Sequence, residues 1–200
     1  MEQYFIVCPL LFLAGLVDSI GGGGGLISLP AFLIAGVPPH MALATNKMSS
    51  TMGTVISTSR FIKSGYVDFR AAAPAAVASV TGAFLGAKLS LSVDEDIIRH
   101  LMIVILPVVA FYVIKNKNMG DNEKTGKITA RKKVILTIAI ALALGLYDGF
   151  YGPGTGTFLL LLLTGAARMD MRSASGVTKV LNLSSNVSAL LTFIASGMVN

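Results

Sequence analysis

Apolar residues occur in long runs along this chain, and short polar or glycine-rich stretches separate the runs. The runs have helical lengths, and they lack the alternation of apolar and polar residues that the strands of a membrane barrel show. A helix needs about 20 apolar residues to cross a bilayer, so the second and seventh runs are too short to cross alone. The pattern predicts an all-α integral membrane protein with these eight runs: Tyr4–Ile20, Leu26–Val37, Met41–Ile62, Ala71–Leu91, Ile97–Ile114, Val134–Phe150, Phe158–Ala167 and Ala174–Ala195.

Composition and charge agree with a membrane protein. The chain is 54% hydrophobic and 13% charged, whereas a soluble domain has about 25% charged residues. Seven of the 16 basic residues lie between Lys115 and Lys133, in the one long polar segment. Such a segment is typical of a cytoplasmic loop. We therefore predict a multi-pass membrane protein with this loop in the cytoplasm, a lipid bilayer as its surroundings and no nucleic-acid partner.

The chain also contains an internal repeat. "GLVDSIGGGGGLISL" matches "GLYDGFYGPGTGTFLL", which aligns Asp18 with Asp148. Further along, "ATNKMSS" matches "GVTKVLN", which aligns Lys47 with Lys179, and "FIKSGYVD" matches "FIASGMVN". Because a cleaved signal peptide would not recur in mid-chain, the first apolar run is expected to be part of the folded protein.

The repeat predicts how the chain is organised. We expect a first repeat over 1–115, a basic cytoplasmic loop over 116–133 and a second repeat over 134–200. The first copy continues for about 47 residues beyond Asp68, whereas the second ends at Asn200, so the chain is expected to lack a final helix pair. "RFIKSGYVDFR" is basic and its counterpart "FIASGMVN" is not, while "ARMDMR" is basic and its counterpart "VPPHM" is not. Charges that change sides in this way predict inverted repeats.

Glycines interrupt an apolar stretch at matching positions of the two copies, in "GGGGG" and "YGPGTG". Glycine disfavours a helix interior, and a helix that starts anew there has unpaired N–H groups at the positive end of its dipole. In secondary transporters, such broken helices of two inverted halves form substrate sites near the membrane midplane. The motifs therefore predict an anion site at Gly22, Gly24, Gly152 and Gly154. Tight helix packing is the alternative explanation for the glycines.

The motifs "GLVDSIGGGGGLISLP" with "ATNK", and "GLYDGFYGPGTGTFL" with "TKVLNLSSN", resemble the TauE/SafE family of membrane permeases, also called the sulfite exporter family. The resemblance covers nearly the whole chain. It implies a bacterial or archaeal inner-membrane protein that moves sulfite, a sulfonate or a related small anion, with no cofactor and no enzymatic activity. The family pattern has a further C-terminal helix pair.

Four charged residues fall within predicted membrane spans, where a charge costs about 2.5–3.5 kcal/mol to insert and therefore indicates function. We predict that Lys47 and Lys179 hold the charge of a small anionic substrate. Asp18 and Asp148 would pair with the lysines or carry a coupling proton. The remaining predicted substrate-binding side chains are Thr45, Asn46, Thr178 and Asn182. Structural ion pairs, snorkelling lysines and hydrogen bonds between helices are the alternatives.

Other functions remain open at this point. A passive anion channel would use the same residues without a coupling ion. An intramembrane aspartyl protease would use the two aspartates as a dyad, but it would leave the lysines without a role. The sequence leaves open a homo-oligomer, the identity of the anion and the direction of transport. His40, after "VPP", is expected to be solvated in a loop.

Overall fold

The computed structural model describes residues 2–21, 23–115 and 128–198, and these residues contain eight α-helices and no strand. Each predicted apolar run coincides with one helix, although the second and seventh runs extend past the ends of α2 and α7, so the prediction of an all-α fold is confirmed. The helices are α1 Glu2–Gly21, α2 Gly25–Ile34, α3 Pro39–Lys63, α4 Phe69–Leu91, α5 Glu95–Lys115, α6 Ala130–Phe150, α7 Thr155–Gly165 and α8 Met171–Ala195. Helix α6 includes 130–133, which the sequence analysis had placed in the basic loop; residues 116–127 of that loop lie outside the described residues.

The lengths of the helices agree with a chain that crosses a membrane. Among the described residues, α4, α6 and α8 are long and apolar enough to span a bilayer, and α2 and α7 are shorter apolar helices. Large apolar side chains cover much of the outer surface: Phe5 is 82% exposed, Phe12 is 73% exposed and Phe111 is 68% exposed. In water, an apolar surface of this kind would favour aggregation, whereas lipid tails solvate it.

Helix α4 packs directly against α6 through small residues. A methyl group added at Gly82 or Gly86 of α4, or at Gly145 or Gly149 of α6, would collide with backbone atoms of the other helix. Glycine thus lets the two backbones approach closely, as in many pairs of membrane helices. Gly145 meets Ser79 and Gly149 meets the residue four positions later, Ala83, so the two helices run parallel.

Helix α8 joins this pair and also packs against α3. Gly176 of α8 lies against the backbone of Tyr66, and the Ser188 hydroxyl donates to the Val80 carbonyl of α4 at 2.8 Å. Thr58 of α3 donates to the Lys179 carbonyl at 3.0 Å. Because residue 47 of α3 meets residue 186 of α8 and residue 58 meets residue 179, α3 and α8 run antiparallel. Inverted repeats require that relation between matched helices; the full repeat symmetry stays a prediction.

Aspartates fix the starts of two helices. The Asp68 carboxylate accepts a hydrogen bond from the Arg70 N–H at 3.2 Å at the start of α4. The Asp170 carboxylate accepts one from the Ser173 N–H at 3.0 Å at the start of α8. Each satisfies an N–H that has no partner within its helix. The Ser173 N–H also holds the pKa of the Asp170 carboxyl below its usual range.

One expectation about the loops is wrong. His40 is not solvated in a loop; it lies in the first turn of α3 and is 6% exposed. Its Nε2 lies 2.9 Å from the Ser90 carbonyl oxygen, and its Nδ1 lies 3.5 Å from a Glu95 carboxylate oxygen. Proline at the first helical position starts α3 one residue before His40, and the imidazole contacts the end of α4 and the start of α5.

Candidate functional site

Both predicted glycine stretches break a helix. Helix α1 ends at Gly21 and α2 begins at Gly25; α6 ends at Phe150 and α7 begins at Thr155. In the second break, Gly152 and Gly154 have φ angles of 98° and 81°, a left-handed conformation that strains residues with a side chain. Gly22 lies outside the described residues. Asp18 and Asp148 each lie a few residues ahead of a break; Asp148 is buried inside the helix bundle, and Asp18 is half-buried.

Lys47 and Asp148 form a buried ion pair. The Lys47 Nζ lies 2.8 Å from the Asp148 Oδ1, and the two side chains are 2% and 3% exposed. The Lys47 ammonium also donates to Asn186 Oδ1 at 3.1 Å. The pair therefore links the lysine of the first copy, on α3, to the aspartate of the second copy, on α6. The other carboxylate oxygen, Asp148 Oδ2, is buried and has no hydrogen-bond partner among the described residues.

Lys179 and Asp18 also meet across the two copies, but through the backbone. The Lys179 ammonium donates to the Asp18 carbonyl oxygen at 3.2 Å. The Asp18 carboxylate accepts a hydrogen bond from the Gly24 N–H at 3.1 Å. At this break, the chain's own carboxylate thus occupies the end of a half-helix where the sequence predicted the substrate. The carboxylate and an anionic substrate are attracted there for the same reason, because a negative charge is favourable at a helix N-terminus.

A small polar cavity adjoins Asp18. Its volume is about 30 Å³, enough for a ligand the size of a water molecule. The cavity walls come from α1, α2, α3 and the first break: Ala14, Gly15, Asp18, Gly24, Ser28, Asn46, Ser49, Ser50 and Gly53. Polar walls within an apolar bundle mark a place that a polar ligand or water can occupy.

The structure brings only some of the predicted side chains to this region. Asn46 lines the cavity and accepts a hydrogen bond from the Ser28 hydroxyl at 2.5 Å. The Thr45 hydroxyl donates instead to the Met41 carbonyl of its own helix at 2.7 Å. Thr178 and Asn182 are buried on α8, 5% and 4% exposed, and the Thr178 hydroxyl has no hydrogen-bond partner among the described residues.

The sequence analysis missed two tyrosines and a serine at the site. Tyr147 and Tyr151 flank Asp148; the Tyr147 hydroxyl donates to the Pro153 carbonyl at 2.7 Å across the second break. The Tyr151 side chain is 1% exposed, and its hydroxyl has no partner among the described residues. Their place in "GLYDGFYGPG" was the available signal. Ser28 lies just after the first glycine run.

The chemistry of the site is that of charge compensation between cations and carboxylates. Within the part of the chain that the structure describes, no three histidine, cysteine, aspartate or glutamate side chains form a group that could hold a metal ion. Two lysines and two carboxylates meet at two broken helices inside an apolar bundle. A buried lysine can bind an anionic ligand if the ligand displaces the carboxylate that compensates its charge.

Taken together, a lipid-solvated helical bundle with charged groups at two broken helices defines a membrane transport protein. Residues 7–200 match the family described as sulfite exporter TauE/SafE, and the chain belongs to this family. The expected resemblance is thereby confirmed. No solved structure matches the chain.

The curated relatives carry names that agree with this class. A probable membrane transporter protein, ORF9, of a Sinorhizobium species is 38% identical over 188 residues, which are 94% of this chain and 71% of the relative. The probable membrane transporter protein YfcA of Escherichia coli strain K12 is 32% identical over 208 residues, 99% of this chain and 76% of the relative. These relatives support a membrane transporter and not an enzyme, which removes the protease alternative.

Proposed function

We propose that this protein is a carrier for a small anion, such as sulfite, a sulfonate or a related oxyanion, with its site at the two broken helices. The family description names sulfite export, and buried lysine side chains provide the positive charge that such a substrate requires. The single observation that carries the proposal is the 2.8 Å ion pair between Lys47 and Asp148 beside the second break.

The ion pair suggests how substrate binding is coupled to a proton. In the resting state Asp148 already compensates the Lys47 charge, so an anion has to displace the carboxylate. Leaving a buried charge without its partner costs about 3–5 kcal/mol. Protonation of Asp148 at Oδ2, which has no hydrogen-bond partner among the described residues, removes this obstacle, because the neutral acid releases Lys47 to the substrate. One proton and one anion then enter together, and the buried charge stays balanced.

We assign Lys179, at the first break, the same role of holding the anion that Lys47 has at the second. Lys179 donates to the Asp18 carbonyl, and the Asp18 carboxylate is held by Gly24 beside the polar cavity. An anion that leaves Lys47 finds the second cation at the first break. Asn46, Asn182 and the glycines Gly24, Gly152 and Gly154 line its route. Thr45 and Thr178 stand as further candidates.

We further propose the orientation of the protein in the inner membrane. The basic segment Lys115–Lys133 lies in the cytoplasm, as the positive-inside rule requires. Asp68 and Lys133, whose charged atoms lie 3.5 Å apart, then lie at the cytoplasmic ends of α4 and α6. An assembly of several copies is compatible with this arrangement.

A transport assay in liposomes tests the proposal. The protein is reconstituted, and uptake of labelled sulfite and of a small sulfonate is followed with and without an inward proton gradient. We expect saturable, gradient-dependent uptake. Lys47→Ala should abolish it, and Asp148→Asn should keep saturable uptake while removing its dependence on the gradient. Lys88→Ala is the matched control, because Lys88 lies on the exposed surface of α4 and should leave uptake unchanged.

Other outcomes would contradict the carrier. Undiminished uptake by the Lys47→Ala variant would show that Lys47 only takes part in a structural ion pair. Flux that rises linearly with anion concentration and ignores the proton gradient would favour a passive channel.

A further inference from the structure

The second copy of the repeat has a helix packed against its glycines. On α6, a Cβ atom at Gly145 would lie 2.6 Å from the Ser79 carbonyl oxygen. Gly149, one turn further, lies against the backbone of Ala83. Helix α4 therefore covers the part of α6 that leads to the second break, and Asp148 on the same stretch of α6 is 2% exposed.

The first copy has the same glycine without the helix. Gly15 of α1 aligns with Gly145, since the two aspartates and the two glycines are both separated by 130 positions. Apart from its chain neighbours and its own helix backbone, no heavy atom of the described residues lies within 4 Å of a Cβ built at Gly15, and the same holds at Gly53 on the neighbouring α3. Large apolar side chains such as Phe12, 73% exposed, flank this face. We call the surface formed by Ala14, Gly15, Asp18, Ser49, Ser50 and Gly53 the α1–α3 face.

Polar groups at this face indicate that lipid tails do not contact it in the assembled protein. The 30 Å³ cavity beside Asp18 is lined by Ser49 and Ser50; Ser49 is exposed, and Asp18 is only half-buried. The Asp18 carboxylate already accepts the Gly24 N–H, but lipid tails can offer no further hydrogen bond to it or to the Ser49 hydroxyl, so covering these groups with hydrocarbon is unfavourable. A polypeptide can both fill the space above Gly15 and close the cavity.

We propose that the α1–α3 face is a docking surface for one further transmembrane helix, which carries small residues four positions apart and packs on Gly15 as α4 packs on Gly145. Small residues are needed because only they allow backbones to approach this closely. The longer relatives have room for such a helix: the match covers 71% of the Sinorhizobium protein, so about three tenths of that protein lies outside it. Docking closes the cavity at Asp18. The proposal concerns assembly and does not depend on which anion is carried.

A fluorescence experiment with the purified 200-residue protein tests the docking. Cys8, exposed on α1 and the only cysteine of the chain, carries a donor dye. The probe is a synthetic peptide with the α4 sequence Phe69–Leu91, which presents Ser79 and Ala83 four residues apart, labelled with an acceptor dye. We expect saturable energy transfer in detergent micelles, and none with a scrambled peptide of the same composition. Gly15→Leu should weaken peptide binding at least tenfold.

The controls separate docking from misfolding and from self-association. Gly165→Leu, at the end of α7, where the Cβ position also has no close neighbour in the described part of the chain, should bind the peptide like the wild type. In a Cys8→Ser background, the thiol of Ser49→Cys should react more slowly with a maleimide once the peptide is bound. Equal binding of the scrambled peptide, or by Gly15→Leu, would overturn the proposal. Energy transfer between two protein copies that Gly15→Leu abolishes would also overturn it, in favour of a second copy as the occupant.

Discussion

Lys47 on α3 and Asp148 on α6 lie 2.8 Å apart and are almost completely shielded from solvent. They belong to different copies of the sequence repeat, and the carboxamide of Asn186 on α8 completes the partners of the ammonium. The pair thus ties three helices together at the point where α6 ends. Because the pair is buried, each of its charges depends on the other for compensation.

The first prediction concerns the stability contributed by this pair. Removing one partner should be far more damaging than removing both, because a single substitution leaves a buried charge uncompensated. We expect Lys47→Met alone to destabilise the protein by about 3–5 kcal/mol and Lys47→Met with Asp148→Leu to recover most of that loss. Thermal unfolding in detergent measures both.

The partly exposed pair of Lys133 and Asp68 provides the matched control. Their charged atoms are 3.5 Å apart and the side chains are 26% and 33% exposed. Lys133→Met should therefore cost at most about 1 kcal/mol. A double variant at the buried pair that is no more stable than the single one would show that the two side chains act independently.

The second prediction concerns the contact between α4 and α6. Gly86→Ala places a methyl group against the backbone of Leu146 and Phe150, and a rigid backbone cannot move aside cheaply. We expect a loss of about 1–3 kcal/mol, the usual effect of overpacking. Gly53→Ala, which has open space around its Cβ, should be neutral or slightly stabilising because alanine favours the helix. Similar unfolding temperatures for the two variants would contradict the close approach of the two backbones.

The third prediction concerns the start of α8. Asp170→Ala should destabilise the protein by about 1 kcal/mol at neutral pH, since the carboxylate accepts the Ser173 N–H. Because this hydrogen bond holds the pKa of the Asp170 carboxyl below its usual range, its contribution is complete above the pKa of the unfolded chain. It is lost as pH falls through the lower pKa of the folded state. The difference in unfolding temperature between wild type and variant should therefore shrink in strong acid, and a pH-independent difference would refute this explanation.

The fourth prediction concerns the orientation of the helices in the membrane. In a Cys8→Ser background, a single cysteine replaces Ser92, in the turn after α4, or Thr129, just before α6. A membrane-impermeant maleimide should label Ser92→Cys in intact cells and Thr129→Cys only after the cells are opened. The expectation follows from the basic segment before α6 and the positive-inside rule. Labelling of both cysteines in intact cells, or the reverse pattern, would refute a cytoplasmic Lys115–Lys133 loop.

The sequence by itself determined the helices, the two breaks and the class of protein. These features depend on local physics: an apolar run must fold as a helix to satisfy its backbone in lipid, and glycines weaken a helix wherever they occur. The short runs after each glycine stretch accordingly became α2 and α7. The repeated aspartates and lysines marked the site because charged residues are rare within apolar segments.

Only the tertiary structure decided which of these charges meet. Lys47 pairs with Asp148, 101 positions away, and not with Asp18 of its own copy. That choice depends on how α3, α6 and α8 pack, which in turn depends on the close approach of α4 at Gly145 and Gly149. The burial of His40 beside Ser90 has the same origin. Partner choice is a property of helix packing over long distances in sequence, and no local pattern encodes it.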